Sequence, residues 1–340
     1  MKSCLIGNFA DGMKEINGQT VKTFELYHAL SKKINVDCVD TYYLRRKPYL
    51  FTKILRNILQ YNNYIICLSW SGYKILLPII IILKLCFRDK RIFDVVIGGI
   101  RHEQIKTNYI YRYLQKFIDG IYVESLNMQK NYNYLGVHQV KYMPNFKYVE
   151  QYVREDDDKF FHLCTMSRVC CEKGIEDAIE AVKKIKDKSN YKIKLTIYGP
   201  VEQGYKEKFK SLIKKEGCIE YGGIINYHDT TKVLSRINAL LFPTFWKGEG
   251  FPGTIIDAFA SGTPVIASDW NCNSEIINNM KQGILIRPHS VDDLVNAIIY
   301  LYNNPLEVKR MSDECLKEYT KYTPERVSSI ICDDLVGNGG

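Results

Sequence analysis

Two carboxylates and two cations sit where the neighbouring residue types could turn them to chemistry. Glu249 and Asp257 lie eight residues apart in L-L-F-P-T-F-W-K-G-E-G-F-P-G-T-I-I-D-A-F-A-S-G-T-P-V-I-A-S-D-W-N-C-N-S-E-I-I, residues 240–277. Arg168 and Lys173 stand in S-R-V-C-C-E-K-G, between an apolar run and an amphipathic stretch. The first segment reads as buried strand, glycine-rich loop, short helix, second buried strand and polar turn. Its loop, Gly250, Phe251, Pro252, Gly253 and Thr254, opens the helix. Such an opening offers free N–H groups and the positive end of the helix dipole, which suits an anion. Eight residues span about 12 Å if wholly helical, so the two carboxylates can reach different parts of one extended ligand. Carboxylates accept hydrogen bonds from sugar hydroxyls, and a guanidinium with an ammonium neutralises a diphosphate. A ligand with hydroxyls at both ends and a diphosphate between them is a nucleotide sugar. The plainer alternatives are a tight strand-to-helix turn and ordinary surface ion pairing.

The elements that must hold these residues alternate. In the first half, strands are expected at Lys2–Ile6, Asn35–Asp40, Tyr64–Leu68, Phe93–Ile97, Gly120–Val123 and Val140–Met143. Helices fall near 19–32, 50–60, 72–87, 105–118 and 125–136. In the second half, strands are expected at Phe160–Met166, Lys192–Tyr198, Ile219–Tyr221, Ala239–Phe242, Pro264–Ala267 and Gly283–Ile286. Ile175, Ala178, Ile179, Val182 and Ile185 are spaced for one buried helix face. Short continuous apolar strands alternating with helices indicate α/β units with parallel sheets covered on both faces. The break follows Pro144-Asn145-Phe146, with a linker near 146–158 that includes the acidic run Glu155–Asp158. Residues 1–150 and 151–340 are thus expected to be two domains, the last helices free to pack back on the first. Ligand crevices lie at the carboxyl ends of such strands and at domain interfaces. Two first-half residues qualify on position. Gly18, after the first strand, could let backbone approach a phosphate, although G-N-F-A-D-G-M-K-E-I-N-G does not match G-x-G-x-x-G. His102, with Glu103, follows the strand ending V-V-I-G-G and could face a substrate or merely solvent.

Composition narrows the classes. At 340 residues, 46% apolar and 25% charged, the chain is that of an ordinary globular protein. The most apolar segment, Ile75 to Leu83, contains Pro78 and is about half the roughly 18 residues a bilayer span needs. No signal peptide is expected from Met1-Lys2-Ser3-Cys4-Leu5-Ile6-Gly7. Eleven cysteines without C-x-x-C spacing point to reduced thiols and a cytoplasmic setting, and no zinc site is expected. The D-x-D pattern within the acidic run is a weak metal signature. Residues 1–150 hold 22 Lys and Arg against 11 Asp and Glu, a net +11, while the remainder holds 25 against 27, a net −2. A basic first half suits anionic lipid, a phosphorylated acceptor or nucleic acid. Nucleic acid is disfavoured because no recognition helix or zinc finger accompanies the charge.

The second half resembles glycosyltransferase family 4, retaining enzymes of the two-domain GT-B fold. The resemblance rests on F-H-L-C-T-M-S-R-V-C-C-E-K-G-I-E-D-A-I-E-A, on I-Y-G-P at Ile197–Pro200, on Tyr221-Gly222-Gly223-Ile224, and above all on residues 242–270. It covers about 160–300 closely. In the first half Y-V-E-S at Tyr122–Ser125 and M-P-N-F-K at Met143–Lys147 look like polysaccharide-assembly members. The resemblance implies two Rossmann-like domains facing a cleft, the first for the acceptor and the second for the donor. It implies that Arg168 and Lys173 bind the donor diphosphate, and that Glu249 and Asp257 fill the acidic places of an E-x7-E motif, on donor sugar and ribose. Asp257 departs from the pattern by one methylene. Ile224 would lie where the base is recognised, and His102 would match a first-domain cleft histidine. The expected activity is retaining, metal-independent transfer of a hexose-type sugar from a nucleoside diphosphate donor, a UDP-sugar, with no cofactor. The expected acceptor is a saccharide or lipid-linked oligosaccharide at the inner membrane face, with peripheral contact to anionic lipid. A nucleotide-sugar epimerase and a non-catalytic nucleotide-sugar binder are the alternatives.

Overall fold

A computed structural model describes residues 2–10, 17–44, 50–150, 152, 159–188, 191–214 and 217–336. Arg45, Arg46 and Lys47, the acidic run Glu155–Asp158 and Gly12 of the first loop lie outside the described residues.

The apolar runs of the first half pair side by side because each has an apolar residue on both faces. They form β1 (Ser3–Gly7), β2 (Val36–Asp40), β3 (Asn63–Cys67), β4 (Arg91–Val95), β5 (Gly120–Val123) and β6 (Val140–Tyr142), in the order β2-β1-β3-β4-β5-β6. Every pairing is parallel, with Ser3 opposite Val36 and Asn63. Alternate residues serve opposite faces, as the two-residue strand period requires. Ile6, Tyr64, Ile66, Ile121 and Val123 pack on one side, and Leu5, Ile65 and Tyr122 on the other.

Helices cover both faces. They are α1 (Gly18–Ser31), α2 (Leu50–Ile58), α3 (Trp70–Cys86), α4 (Arg101–Lys106), α5 (Tyr109–Leu114) and α6 (Leu126–Tyr134). The first cluster takes Leu77 and Ile81 of α3 and Met128 and Tyr132 of α6. The second takes Leu26 and Leu30 of α1. The single helix expected at 105–118 is instead α4, α5 and a 3-10 turn at Gln115–Phe117. The break comes at Asn108, whose side chain caps α5 by accepting from the Tyr111 amide at 3.4 Å.

The second half folds by the same logic. Its strands β7 (Phe161–Met166), β8 (Ile193–Tyr198), β9 (Ile219–Gly223), β10 (Ala239–Phe242), β11 (Val265–Ser268) and β12 (Gly283–Ile286) form a second parallel sheet, β12-β11-β10-β7-β8-β9. Its helices are α7 (Ile175–Lys188), α8 (Lys206–Ile213), α9 (Thr230–Leu234), α10 (Gly253–Ala260), α11 (Asn273–Ile276), α12 (Val291–Asn303) and α13 (Pro305–Tyr319). The expected stripe of α7 is buried from Ile175 to Ile185, against Leu294 and Ile298 of α12. Ser290 caps α12 by accepting from the Asp293 amide at 3.2 Å. The Asp293 carboxylate binds Arg287 instead of closing a capping box, and this contact holds it well below the usual carboxylate range.

The chain forms two compact units, and the last helix decides their limits. One unit is Val149–Lys321, and the other is Met1–Tyr148 with Tyr322–Gly340. Helix α14 (Pro324–Val336) sets Val327 and Ile331 against Leu26 and Leu30 of α1. Arg91 donates to the carbonyls of Asp334 at 3.2 Å and Leu335 at 2.8 Å, while Tyr122 and Lys141 hold the Asp334 carboxylate. The second unit thus ends at Lys321 rather than 340, with α12 and α13 inside it and α14 outside.

Candidate active site at the carboxyl edge of the second sheet

Because β7 to β11 are all parallel, the loops after them emerge on one edge of the sheet, where open α/β sheets take their ligands. Four of these loops carry residues singled out above. Close backbone approaches hold them together. Gly199, at φ +129°, lies where a Cβ would come 1.8 Å from the Ser167 carbonyl oxygen, so only glycine seats the loop after β8 against the one bearing Arg168. Gly174, at φ +68°, approaches the Pro243 carbonyl just as closely, 2.1 Å from a Cβ. That contact locks the turn of Lys173 to the loop after β10. Thr254 Oγ1 donates to the Met166 carbonyl at 3.1 Å and ties the start of α10 to the end of β7. The Gly199 amide donates to the Gly223 carbonyl at 2.9 Å, which brings the exposed Ile224 alongside.

Within this frame Lys173 and Glu249, 76 positions apart, form a buried ion pair between Nζ and Oε2. Thr244 Oγ1 donates to the same Oε2 at 3.0 Å. The Trp246 ring lies 4.6 Å from Lys173 Nζ and 5.4 Å from the Arg168 guanidinium carbon, so one indole serves both cations. Gly248 makes room for that ring, since a Cβ there would sit 2.7 Å from it. Asn271, at φ +50°, donates its side-chain amide to the carbonyls of Lys247 at 3.2 Å and Glu249 at 3.1 Å. Cys272 Sγ donates to the Gly250 carbonyl at 3.1 Å. The loop that carries Glu249 is thus fixed from both sides.

Helix α10 starts at Gly253 after Pro252, with no side chain capping it. Its first turn follows directly on the loop containing Gly250 and Phe251, the place where an anion is expected from the sequence. Asp257 is buried one turn further on. Arg168 is exposed, and its guanidinium is available beside the buried pair. Cys170 and Glu172, on the loop of Arg168, and Glu202, on the loop after β8, bring metal-capable atoms within 4.8 Å of one another. Burial pushes the Cys170 thiol above its ordinary range, which disfavours a thiolate ligand.

Gly18 and His102 belong to the first unit. Gly18 begins α1, but Asn17 Oδ1 already accepts from the amides of Gln19 and Thr20 at 3.0 and 3.1 Å. The space opened by Gly18 is therefore next to amides that are occupied, which weakens it as a phosphate seat. His102 lies on α4 rather than in a loop, half-buried, and burial holds its pKa below the usual value. Sequence reasoning missed Thr244, Trp246 and Asn271. All three lie in the stretch it favoured, and an asparagine beside a polar turn is a visible signal for a left-handed residue.

The pattern of the family described as "Glycosyl transferases group 1" matches residues 149–318, almost the whole of the second unit. The chain belongs to this family. Among group 1 relatives, it is 27% identical over 166 residues to a Staphylococcus aureus poly(ribitol-phosphate) alpha-N-acetylglucosaminyltransferase, covering 48% of this chain and 32% of that protein. It is 28% identical over 88 residues to an Escherichia coli UDP-Gal:alpha-D-GlcNAc-diphosphoundecaprenol alpha-1,3-galactosyltransferase, covering 26% and 22%. The chain spans less than a third of either relative's length. The Anabaena protein HepE, crystallised in complex with UDP, superposes with a TM-score of 0.79 over 99% of this chain and 100% of its own, at 13% identity. At that identity the likeness is one of fold, and the fold of this group 1 member is GT-B.

Proposed function

We propose that the chain is a retaining glycosyltransferase that moves a hexose-type sugar from a UDP-sugar to a lipid-linked saccharide, without a metal. The observation that carries this reading is the Lys173–Glu249 pair, with Arg168 beside it and the uncapped start of α10 next to it. Lys173 carries three N–H donors and points one at Glu249 Oε2, which leaves the other two able to meet a diphosphate oxygen. The Glu249 carboxylate accepts hydrogen bonds from hydroxyls of the donor sugar. Arg168 and the α10 amides take the charge that grows on the departing diphosphate, a stabilisation that needs no reorganisation. Asp257 is assigned to the ribose and Ile224 to the base. His102, whose pKa burial holds below its usual value, is assigned to the acceptor side. The name of the Escherichia coli relative, with its diphosphoundecaprenol acceptor, and the UDP bound by HepE support the two substrate classes.

Transfer from radiolabelled UDP-sugars to a polyprenyl-diphosphate saccharide tests the reading. Glu249→Gln keeps the side-chain shape and is expected to lower turnover about 10²–10³-fold while donor binding changes only a few-fold. EDTA is expected to leave the rate unchanged. A rate abolished by EDTA and restored only by a divalent ion would end the metal-free assignment and direct attention to Cys170, Glu172 and Glu202. Conversion of donor to an isomeric nucleotide sugar without acceptor would replace the transferase with an epimerase.

A further inference from the structure

Helix α3, W-S-G-Y-K-I-L-L-P-I-I-I-I-L-K-L-C, is apolar on all sides yet covered on one side only. Tyr73, Leu76, Leu77, Ile80 and Ile81 pack into the core. On the opposite side Ile75 is 60% exposed, Ile82 58% and Leu85 61%, and Phe87 beyond the helix end is 48% exposed. A helix that is apolar all round is ordinarily buried all round, and an exposed apolar patch of this kind marks a contact surface. The neighbouring helix extends the patch. Tyr111 of α5 packs its ring 5.2 Å from Trp70 and donates its hydroxyl to the Lys74 carbonyl at 2.8 Å, so the outer sides of α3 and α5 adjoin. On α5, Tyr109 is 73% exposed, Ile110 66% and Tyr113 52%.

The charge around this patch is mainly positive. Residues 70–117 contain nine Lys and Arg against three Asp and Glu; with the buried Lys90, Asp94 and Arg101 set aside, seven cations remain against two acids. Arg112 lies 5.0 Å from the Tyr109 ring and Lys116 5.3 Å from the Tyr113 ring, each cation beside an exposed aromatic. Apolar side chains flanked by interfacial tyrosines and cations match a bilayer surface with anionic headgroups. A second copy of the chain fits poorly, because a two-fold contact would set this basic surface against itself. Spanning is not the geometry either. No described helix is long and apolar enough to cross a membrane, and α3 is held along its length by its buried side.

We propose that the outer face of α3 and α5 docks on an anionic lipid bilayer. Ile75, Ile82 and Leu85 enter the acyl boundary, and Tyr109 and Tyr113 lie at headgroup level. Arg112 and Lys116 reach the lipid phosphates. The proposal deepens the lipid-linked acceptor reading by naming the surface that would bring the first unit to that acceptor.

Flotation of the purified full chain, without donor or acceptor, tests it. The probes are phosphatidylcholine vesicles with and without about 30 mol % phosphatidylglycerol. The chain is expected to float only with the anionic vesicles and to release near 1 M salt, where screening shortens to about 3 Å. Ile75→Glu with Ile82→Glu is expected to weaken binding at least about tenfold. Arg112→Glu with Lys116→Glu should remove the preference for phosphatidylglycerol, and Leu306→Glu, an exposed apolar position of the second unit, should change nothing. Unaltered melting curves establish that the variants fold. Equal binding to neutral vesicles, indifference to both double variants, or a like effect of Leu306→Glu would overturn the proposal. So would failure of the wild type to float together with a dimer that Ile82→Glu dissociates. A wild type that floats as expected but transfers no sugar would sink the transferase reading and leave the docking face standing.

Discussion

Asp94, on β4, is fully buried, with its Oδ2 3.8 Å from Nη1 of the equally buried Arg101. Burial pushes its carboxyl from an ordinary 3.8 up to about 6, although Arg101, Tyr73 and Lys22 pull it down. Between those values the folded chain holds a proton that the unfolded chain has released, so stability falls as pH rises through the window. Asp94→Asn removes this titration. The melting temperature of the wild type relative to that variant is expected to drop between about pH 4 and 7 and to be level at lower pH. A difference independent of pH would mean that Asp94 ionises in the folded chain as it does in a peptide. Nothing in the sequence marks Asp94, because its pKa depends on which residues the fold stacks around it. Nor does the sequence mark the buried contact of Lys22 with Glu124, 102 positions apart at 2.5 Å. Arg168, Lys173 and Glu249 were legible because they are charged residues beside glycines at strand ends. Their mutual contact was not, since it joins two loops through tertiary structure.

At the level of elements, the strands were the most legible part, because an apolar run covered on both faces admits few other readings. Helix limits were less so, as the division of 105–118 at Asn108 illustrates. The glycines of the second unit are legible only once their neighbours are known. Gly174 and Gly223 both have positive φ, but a Cβ at Gly223 would meet nothing within 4 Å, whereas one at Gly174 meets the Pro243 carbonyl. Gly223→Ala is therefore expected to cost about 1 kcal/mol, the left-handed strain alone. Gly174→Ala adds a backbone clash and is expected to cost about 3 kcal/mol or more. Urea denaturation of the two variants checks this, and equal losses would show that the loop after β10 gives way freely.

For the whole molecule, the halving of the chain and its uneven charge could be read from the sequence. The return of α14 was only an allowance. With residues 322–340 included, the first unit holds 23 Lys and Arg against 13 Asp and Glu and is still strongly basic at +10. Deleting the chain after Tyr322 uncovers Leu26 and Leu30 and removes the carbonyls and carboxylate that hold Arg91, Tyr122 and Lys141. The unfolding transition of the first unit is expected to disappear or shift to much lower denaturant, with that of Val149–Lys321 retained. A truncated chain with both transitions unchanged would show α14 to be dispensable.

That last helix also sets an order of events on the ribosome. The nascent first unit has its six strands and α1 early, but part of the face that α1 covers waits for residues 324–336. At 5–20 residues per second that wait is roughly 10–40 s, long enough for the second unit to fold before the first is finished. Through that interval the apolar surface beside α1 that the last helix covers stays open, and a chaperone that shields nascent chains would find its target there.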